Sequence, residues 1–150
     1  MIAAWRRFRT LGRDDRALVL EAAVLLPFGW IGLRLLSFVQ LRSLLDAYAV
    51  RFRTASEAAM PVLDRTTWTV SAVADRSPVS MTCLVRALAA DAILRRHGFA
   101  SQLRIGVRRH DGTSSRPLDS HAWIECDDRI VMGQLDDLGD YTVMSPRARG

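Results

Sequence analysis

A cysteine and a histidine with complementary chemistry stand 38 positions apart, in segments of different local pattern. Cys83 opens a helix-like run that closes at Gly98, whereas His121 lies in a strand-like segment, residues 120–126. A thiol is mostly protonated at neutral pH, but the positive end of a helix and a nearby imidazole both favour the thiolate. Cys83 is therefore the candidate nucleophile and His121 the candidate base.

A base of this kind needs a third group that orients its ring and stabilises the imidazolium. A hairpin that turns at residues 127–128 would place His121 opposite Gln134. The orienting side chain is therefore expected near residues 133–136, and Asp136 has the required charge. We predict Asp136 for this role, with Gln134 and Asp119 as the alternatives.

Stabilisation of an oxyanion would require the backbone N–H of Cys83 and one further donor. The sequence offers Ser80, Thr82 and Trp123 for that second position. Trp123 also fits a role in the core or in the wall of a cleft. Thr82 is in addition the predicted N-cap that places Cys83 at the first helical position.

The remaining cysteine and histidines fit structural roles better. Cys126 lies within a strand beside a turn, His97 suits a cation at a helix end, and His110 lies in an arginine-flanked loop. Two cysteines do not make a disulfide framework, and their spacing is not that of a metal site. We predict neither a metal nor a cofactor.

The first half of the chain is predicted to be helical. A helix is expected to begin near Arg16 and to end or kink at Pro27, and a second is expected over residues 30–45. Pro61 can start a third helix, although the threonines between residues 62 and 74 weaken that prediction.

The second half has a different pattern, with one helix followed by short alternating segments typical of strands. This pattern predicts an α+β fold in which the Cys83 helix packs on a small antiparallel sheet, after a helical N-terminal half. The expected regions are a helical part, 1–76, and a core, 77–150. The strands are predicted at residues 101–108, 120–126, 129–133 and 141–144.

The charge pattern does not indicate nucleic-acid binding. The net charge is +5, and all 21 basic residues are arginine. The arginines are dispersed, with seven in each block of fifty residues, which is typical of a solvated surface. We therefore expect no nucleic-acid partner.

An apolar stretch at residues 17–40 raises the question of a membrane span. Glu21 and Arg34 interrupt it, and the longest uncharged run, Ala22 to Leu33, is 12 residues long, shorter than the roughly 20 that a span needs. We expect a cytoplasmic protein that can contact a membrane peripherally. Residues around Trp30 are expected either to dock a partner or to pack beneath the Cys83 helix.

Four ordered segments resemble the transglutaminase-like leader peptidases of lasso-peptide biosynthesis. They begin at Cys83, Leu94, Leu103 and His121, and together they span about residues 80–144. The resemblance implies a papain- or transglutaminase-like core and a cysteine protease with a Cys-His-Asp triad. It departs from the family pattern at Gly133, twelve positions after the histidine, where the family often has an acidic residue.

The resemblance also implies a substrate and partners. Such an enzyme removes the leader from a ribosomally made precursor peptide, and a separate cyclase then closes the ring. Leader binding is often the task of a separate small protein, and this chain is expected to be the stand-alone peptidase half. Two other possibilities remain: another transglutaminase-like amidase or acyltransferase, and a non-catalytic scaffold with the same fold.

Overall fold

The computed structural model describes residues 12–54, 60–109 and 118–144, which form four helices and a four-stranded antiparallel sheet. The helices precede the strands along the chain, which confirms the predicted α+β class with a helical N-terminal half. The elements are α1 (Arg13–Leu35), α2 (Phe38–Arg51), α3 (Met60–Asp75), α4 (Cys83–Arg96), β1 (Ser101–Arg109), β2 (Leu118–Cys126), β3 (Arg129–Met132) and β4 (Thr142–Val143).

The first helix corrects the prediction that a helix ends at Pro27. α1 is a single helix that runs through Pro27 to Leu35. The break comes instead at Ser37, whose hydroxyl accepts a hydrogen bond from the backbone N–H of Gln40. The Gln40 side chain accepts in return from the N–H of Ser37, at 3.0 Å. This capping box starts α2 at Phe38 instead of near residue 30.

Close packing on both sides of Pro27 offsets the backbone hydrogen bond that a proline removes. Leu26 and Gly29 are buried on the inner face of α1. Gly32 lies so close to α2 that a Cβ atom there would be 2.6 Å from a methyl carbon of Leu41. The continuity of α1 therefore follows from tertiary packing, which a local sequence pattern does not report.

α3 is a regular helix despite its threonines. Pro61 lies in its first turn, as predicted, where no helical hydrogen bond is lost. Thr66 and Thr69 are buried on the same side as Leu63 and Val70. Burial of this face outweighs the modest helix propensity of β-branched residues.

α4 lies at the centre of the fold, in contact with the other three helices and with β1 and β2. All eight residues from Ala87 to Leu94 are buried. They include Asp91, whose carboxylate accepts a hydrogen bond from the Ser101 hydroxyl at 2.6 Å and pairs with Arg42 at 3.0 Å. α4 is thus buried on all sides over its second half. Apolar residues at spacings of three and four predict burial of only one face of the helix.

The sheet has the strand order β3-β2-β1-β4, and all its pairs are antiparallel. Asp127 and Asp128 connect β2 to β3 with φ angles of 50° and 59°, as a tight hairpin turn requires. Cys126 pairs with Arg129, as predicted, but the register shifts by one residue between Glu125 and Ile124. This irregularity displaces every later position of the chain relative to β2.

An ion pair with little solvent exposure joins α1 to α4. The carboxylate of Glu21 accepts two hydrogen bonds from Arg96 of α4, at 2.6 and 2.7 Å, and one from the Tyr48 hydroxyl of α2. The Glu21 and Arg96 side chains are only 10% and 15% exposed. Burial, together with Glu21, raises the pKa of Tyr48. Glu21, whose charge interrupts the apolar stretch of residues 17–40, thus connects α1 to α2 and α4.

We expect Glu21→Ala to lower the free energy of unfolding by roughly 2–4 kcal/mol, because it leaves the Arg96 charge buried without its partner. Arg65→Ala is the matched control, since it removes an ion pair between α1 and α3 with side chains 45% and 38% exposed. That loss should be at most about 1 kcal/mol. Urea unfolding of both variants measures the difference, and equal losses would contradict a structural role for the buried pair.

Candidate active site

The cysteine predicted as nucleophile opens α4. Thr82 is the N-cap, and its hydroxyl accepts a hydrogen bond from the backbone N–H of Val85 at 3.4 Å. Cys83 is the first residue of the helix, so its backbone N–H has no partner within the helix. Its thiol is half-buried and forms no disulfide. The predicted placement of Cys83 at the positive end of a helix is confirmed.

The histidine predicted as base lies on β2, and its ring is held by a backbone carbonyl. His121 Nε2 is 2.7 Å from the carbonyl oxygen of Gly133. A carbonyl can only accept, so Nε2 carries the proton, and Nδ1 of the neutral ring keeps its lone pair. The centroid of the ring is 6.2 Å from that of Trp123 and 6.0 Å from that of Tyr141.

The conformation of Gly133 makes this hydrogen bond possible. Its φ of +82° lies in the left-handed region, which L-residues with a side chain rarely adopt. A Cβ atom at this position would be 2.8 Å from the carbonyl oxygen of Ala122 and 2.9 Å from Cβ of Trp123. Only a glycine lets the chain pass this close to β2, and that closeness brings the carbonyl to His121.

Cys83 and His121 line one cavity of about 240 Å³ between the helices and the sheet. The thiol and the ring are not hydrogen bonded to each other, a common condition in sites without substrate, where such bonds form on binding. The cavity brings together side chains from α3, α4 and β2 and the end of β3. Its lining residues are Ser71, Cys83, Arg86, His121, Ala122, Met132 and Gly133.

Arg86 adds a fixed positive charge to this cavity. It lies one turn after Cys83 on α4, and its Nε donates to the carbonyl oxygen of Met81 at 3.1 Å. One terminal nitrogen donates to Asp75 at 2.7 Å. These contacts use two of the five guanidinium N–H groups of a side chain that lines the cavity. A cation in this place favours both a thiolate and an oxyanion.

The three side chains considered as the second oxyanion donor are placed elsewhere or occupied. The Thr82 hydroxyl caps α4, and Ser80 is exposed and does not line the cavity. The indole N–H of Trp123 donates to Glu125 at 2.9 Å, and the ring is buried against the sheet. The backbone N–H of Cys83 and the guanidinium of Arg86 are better placed.

The structure does not bring Asp136 to His121. Asp136 is exposed and lines a separate cleft with Trp123, and no hydrogen bond joins it to the ring. Gln134 is also exposed and donates to the carbonyl of Leu135, whereas Asp119 pairs with Arg108 at 3.2 Å. The end of the strand explains the difference, because β3 stops at Met132 and the chain leaves the sheet, so that Asp136 lies in a turn and not beside β2.

The other cysteine and histidine differ from the site residues in environment. Cys126 is buried, and burial, with the nearby Asp127 carboxylate, raises its pKa to about 11.

Burial and the neighbouring Arg96 lower the pKa of His97, which favours a neutral ring and corrects the prediction of a helix-end cation. His110 lies outside the described residues. Within the described ranges, no cluster of His, Cys, Asp or Glu could hold a metal ion.

Sequence reasoning missed three members of this cavity. Gly133 was noted only as a departure from a family pattern, although a glycine after a strand can indicate a close backbone approach. Arg86 could have been found from its spacing of three from Cys83, which puts both on one face of a helix. Ser71 carries no such signal, because its place depends on how α3 packs.

The fold and the Cys-His cavity define a class of protein, the α+β domains with a cysteine at the start of a central helix. A family model described as the transglutaminase-like superfamily matches residues 22–146. The chain therefore belongs to the transglutaminase-like superfamily. Neither a curated protein nor a solved structure matches the chain significantly.

We expect iodoacetamide to alkylate Cys83 and to leave Cys126 unmodified in the folded protein at neutral pH. The thiol of Cys83 lines an open cavity, whereas that of Cys126 is buried and stays protonated well above neutral pH. Mass spectrometry of the digested protein gives the ratio of the two adducts. Unfolding in urea is the control, because it should bring both cysteines to similar labelling. Preferential labelling of Cys126 in the folded state would reverse the assignment.

Proposed function

We propose that this protein is a cysteine peptidase that removes the leader from a ribosomally made lasso-peptide precursor. The observation that carries the chemistry is the shared cavity, which is lined by Cys83 at a helix start and by His121, whose ring is oriented by Gly133. Membership of the transglutaminase-like superfamily supports cysteine-based acyl transfer. The leader-peptide substrate rests on the ordered sequence segments that resemble lasso leader peptidases.

In the first step of the proposed reaction, the thiol of Cys83 gives its proton to Nδ1 of His121. The sulfur then attacks the carbonyl carbon of the scissile peptide bond. Because Nε2 already donates to Gly133, Nδ1 is the nitrogen available to accept this proton. The resulting oxyanion would receive hydrogen bonds from the backbone N–H of Cys83 and from Arg86.

In the second step, the tetrahedral intermediate collapses to a thioester on Cys83. The C–N bond breaks, and the imidazolium of His121 gives its proton to the leaving amine. Water then attacks the thioester, with His121 as the base, and releases the carboxylate and the free thiol. The carbonyl of Gly133 supports the imidazolium in both steps, because a carbonyl oxygen accepts more strongly from a charged donor.

The proposal includes two partner proteins and a compartment. A separate leader-binding protein would bring the precursor to the cavity, which raises the effective concentration of the cleavage site at Cys83. A separate cyclase would use the released core peptide. The cytoplasm is the proposed compartment, since it keeps a catalytic thiol reduced.

The test is incubation of the chain with a lasso-peptide precursor and a leader-binding protein, followed by mass spectrometry of the products. We expect no measurable cleavage by Cys83→Ala, and a loss of about a hundredfold or more for His121→Ala, which removes the base and the acid for the leaving amine. Asp136→Asn should lose less than about tenfold, because Asp136 does not contact the ring.

Cys126→Ala is the matched control, because it removes the other thiol and should retain cleavage per folded molecule. Loss of activity in Cys126→Ala, with activity kept in Cys83→Ala, would contradict the proposed nucleophile. Transfer of the acyl group to an added amine instead of water would favour an acyltransferase of the same superfamily. A wild-type chain that neither cleaves nor transfers would favour a scaffold.

A further inference from the structure

The outward side of α1 is an apolar surface without a polar interruption. Every exposed residue of α1 between Arg16 and Arg34 is apolar. The large side chains recur at spacings of three and four, so they form one stripe about 22 Å long. We call this stripe the outer face of α1. It consists of Leu20, Val24, Phe28, Ile31 and Leu35, which are 41–77% exposed.

α1 has the length and composition of a membrane span, but its contacts hold it within the fold. The helix has 23 residues, the apolar window within it has a mean hydropathy of 1.7, and one third of that window is buried. To cross a bilayer, α1 would have to leave Arg96 without Glu21 and expose the core that it covers. Both changes are costly. A helix fixed along one side can instead lie flat on a surface.

Each end of the outer face has an arginine. Arg13 lies four residues before Ala17, and Arg34 lies three residues after Ile31. Asp14 and Asp15 share the first turn with Arg13, and Asp15 pairs with Arg65 of α3. The guanidinium of Arg34 stacks 3.5 Å from the ring centroid of Trp30. Tryptophan and arginine at the margin of an apolar helix face are typical of the boundary between acyl chains and headgroups. The first eleven residues of the sequence add three arginines and no acidic residue.

The absence of polar side chains on this face favours lipid over a transient protein partner. A protein interface of ordinary size has about one hydrogen bond per 100–200 Å² and a polar rim. Acyl chains require no hydrogen bonds from the side chains that enter them. Anionic headgroups complement the arginines at both ends.

We propose that the outer face of α1 binds the surface of a bilayer that contains acidic phospholipids, with α1 parallel to the membrane. The apolar side chains enter the boundary between headgroups and acyl chains, and Arg13 and Arg34 contact the phosphates. The chain is then a peripheral membrane protein, and the core contacts of α1 stay intact. This inference does not rest on the proposed chemistry of Cys83.

The test is co-sedimentation of the full chain with phosphatidylcholine vesicles, with and without added phosphatidylglycerol. We expect binding only to the vesicles with phosphatidylglycerol, and we expect salt to weaken it. Val24→Asp and Ile31→Asp should each lower the partition coefficient at least about tenfold. Arg13→Gln and Arg34→Gln should each lower it about fivefold.

Trp68→Asp is the matched control, because it puts the same charge at an apolar position of α3 that is 69% exposed. It should bind as the wild type does, and thermal unfolding should show that all the variants are folded.

An equal loss of vesicle binding in Trp68→Asp, equal binding to neutral vesicles, or no vesicle binding would overturn the proposal. So would a wild-type dimer that Val24→Asp dissociates, since a second copy would then cover this face. If Val24→Asp lost binding to the leader-binding protein but kept its binding to vesicles, the face would be assigned to that protein partner.

Discussion

Burial of α4 between three helices and the sheet is the constraint on which the site depends. A helix buried on all sides over its second half cannot slide or rotate without exposing apolar side chains or unpairing the carboxylate of Asp91. The N-terminus of α4 is thereby fixed relative to β2, and with it the position of Cys83 relative to His121. The helical half of the chain is thus part of the structure that positions the thiol, because it supplies three of the surfaces that enclose α4.

The second constraint is the close passage of the chain past β2 at Gly133. A side chain at this position would collide with the backbone of β2, so the path depends on the left-handed conformation of one glycine. The carbonyl that this path presents to His121 is a neutral group. It fixes the tautomer without adding a negative charge, whereas a carboxylate would also stabilise the imidazolium by charge. The positive charge in the cavity is that of Arg86, which lies one turn after Cys83 on α4.

Local chemistry in the sequence was enough to predict the parts of the site that local rules control. Thr82 as N-cap, Cys83 at the first helical position and the hairpin at residues 127–128 all follow from neighbouring residues, and the structure confirms them. Features that depend on tertiary packing could not be found in this way. α1 runs through Pro27 because of what it covers, and the chain leaves the sheet after Met132, which places Asp136 in a turn away from His121. The outer face of α1 could be predicted only in part. The sequence shows that the helix is apolar, but only its packing shows which side is exposed.

The proposed chemistry requires that the carbonyl of Gly133 hold His121 with its proton on Nε2, so that Nδ1 can accept a proton from Cys83. The most direct measurement is the pair of ring ¹⁵N chemical shifts of His121 in the labelled, folded chain, at a pH where the ring is neutral. We predict a protonated Nε2 whose hydrogen exchanges slowly with water, and an unprotonated Nδ1. A neutral ring with its proton on Nδ1 would contradict the account, since the carbonyl of Gly133 could then not be its partner and Nδ1 could not act as the base.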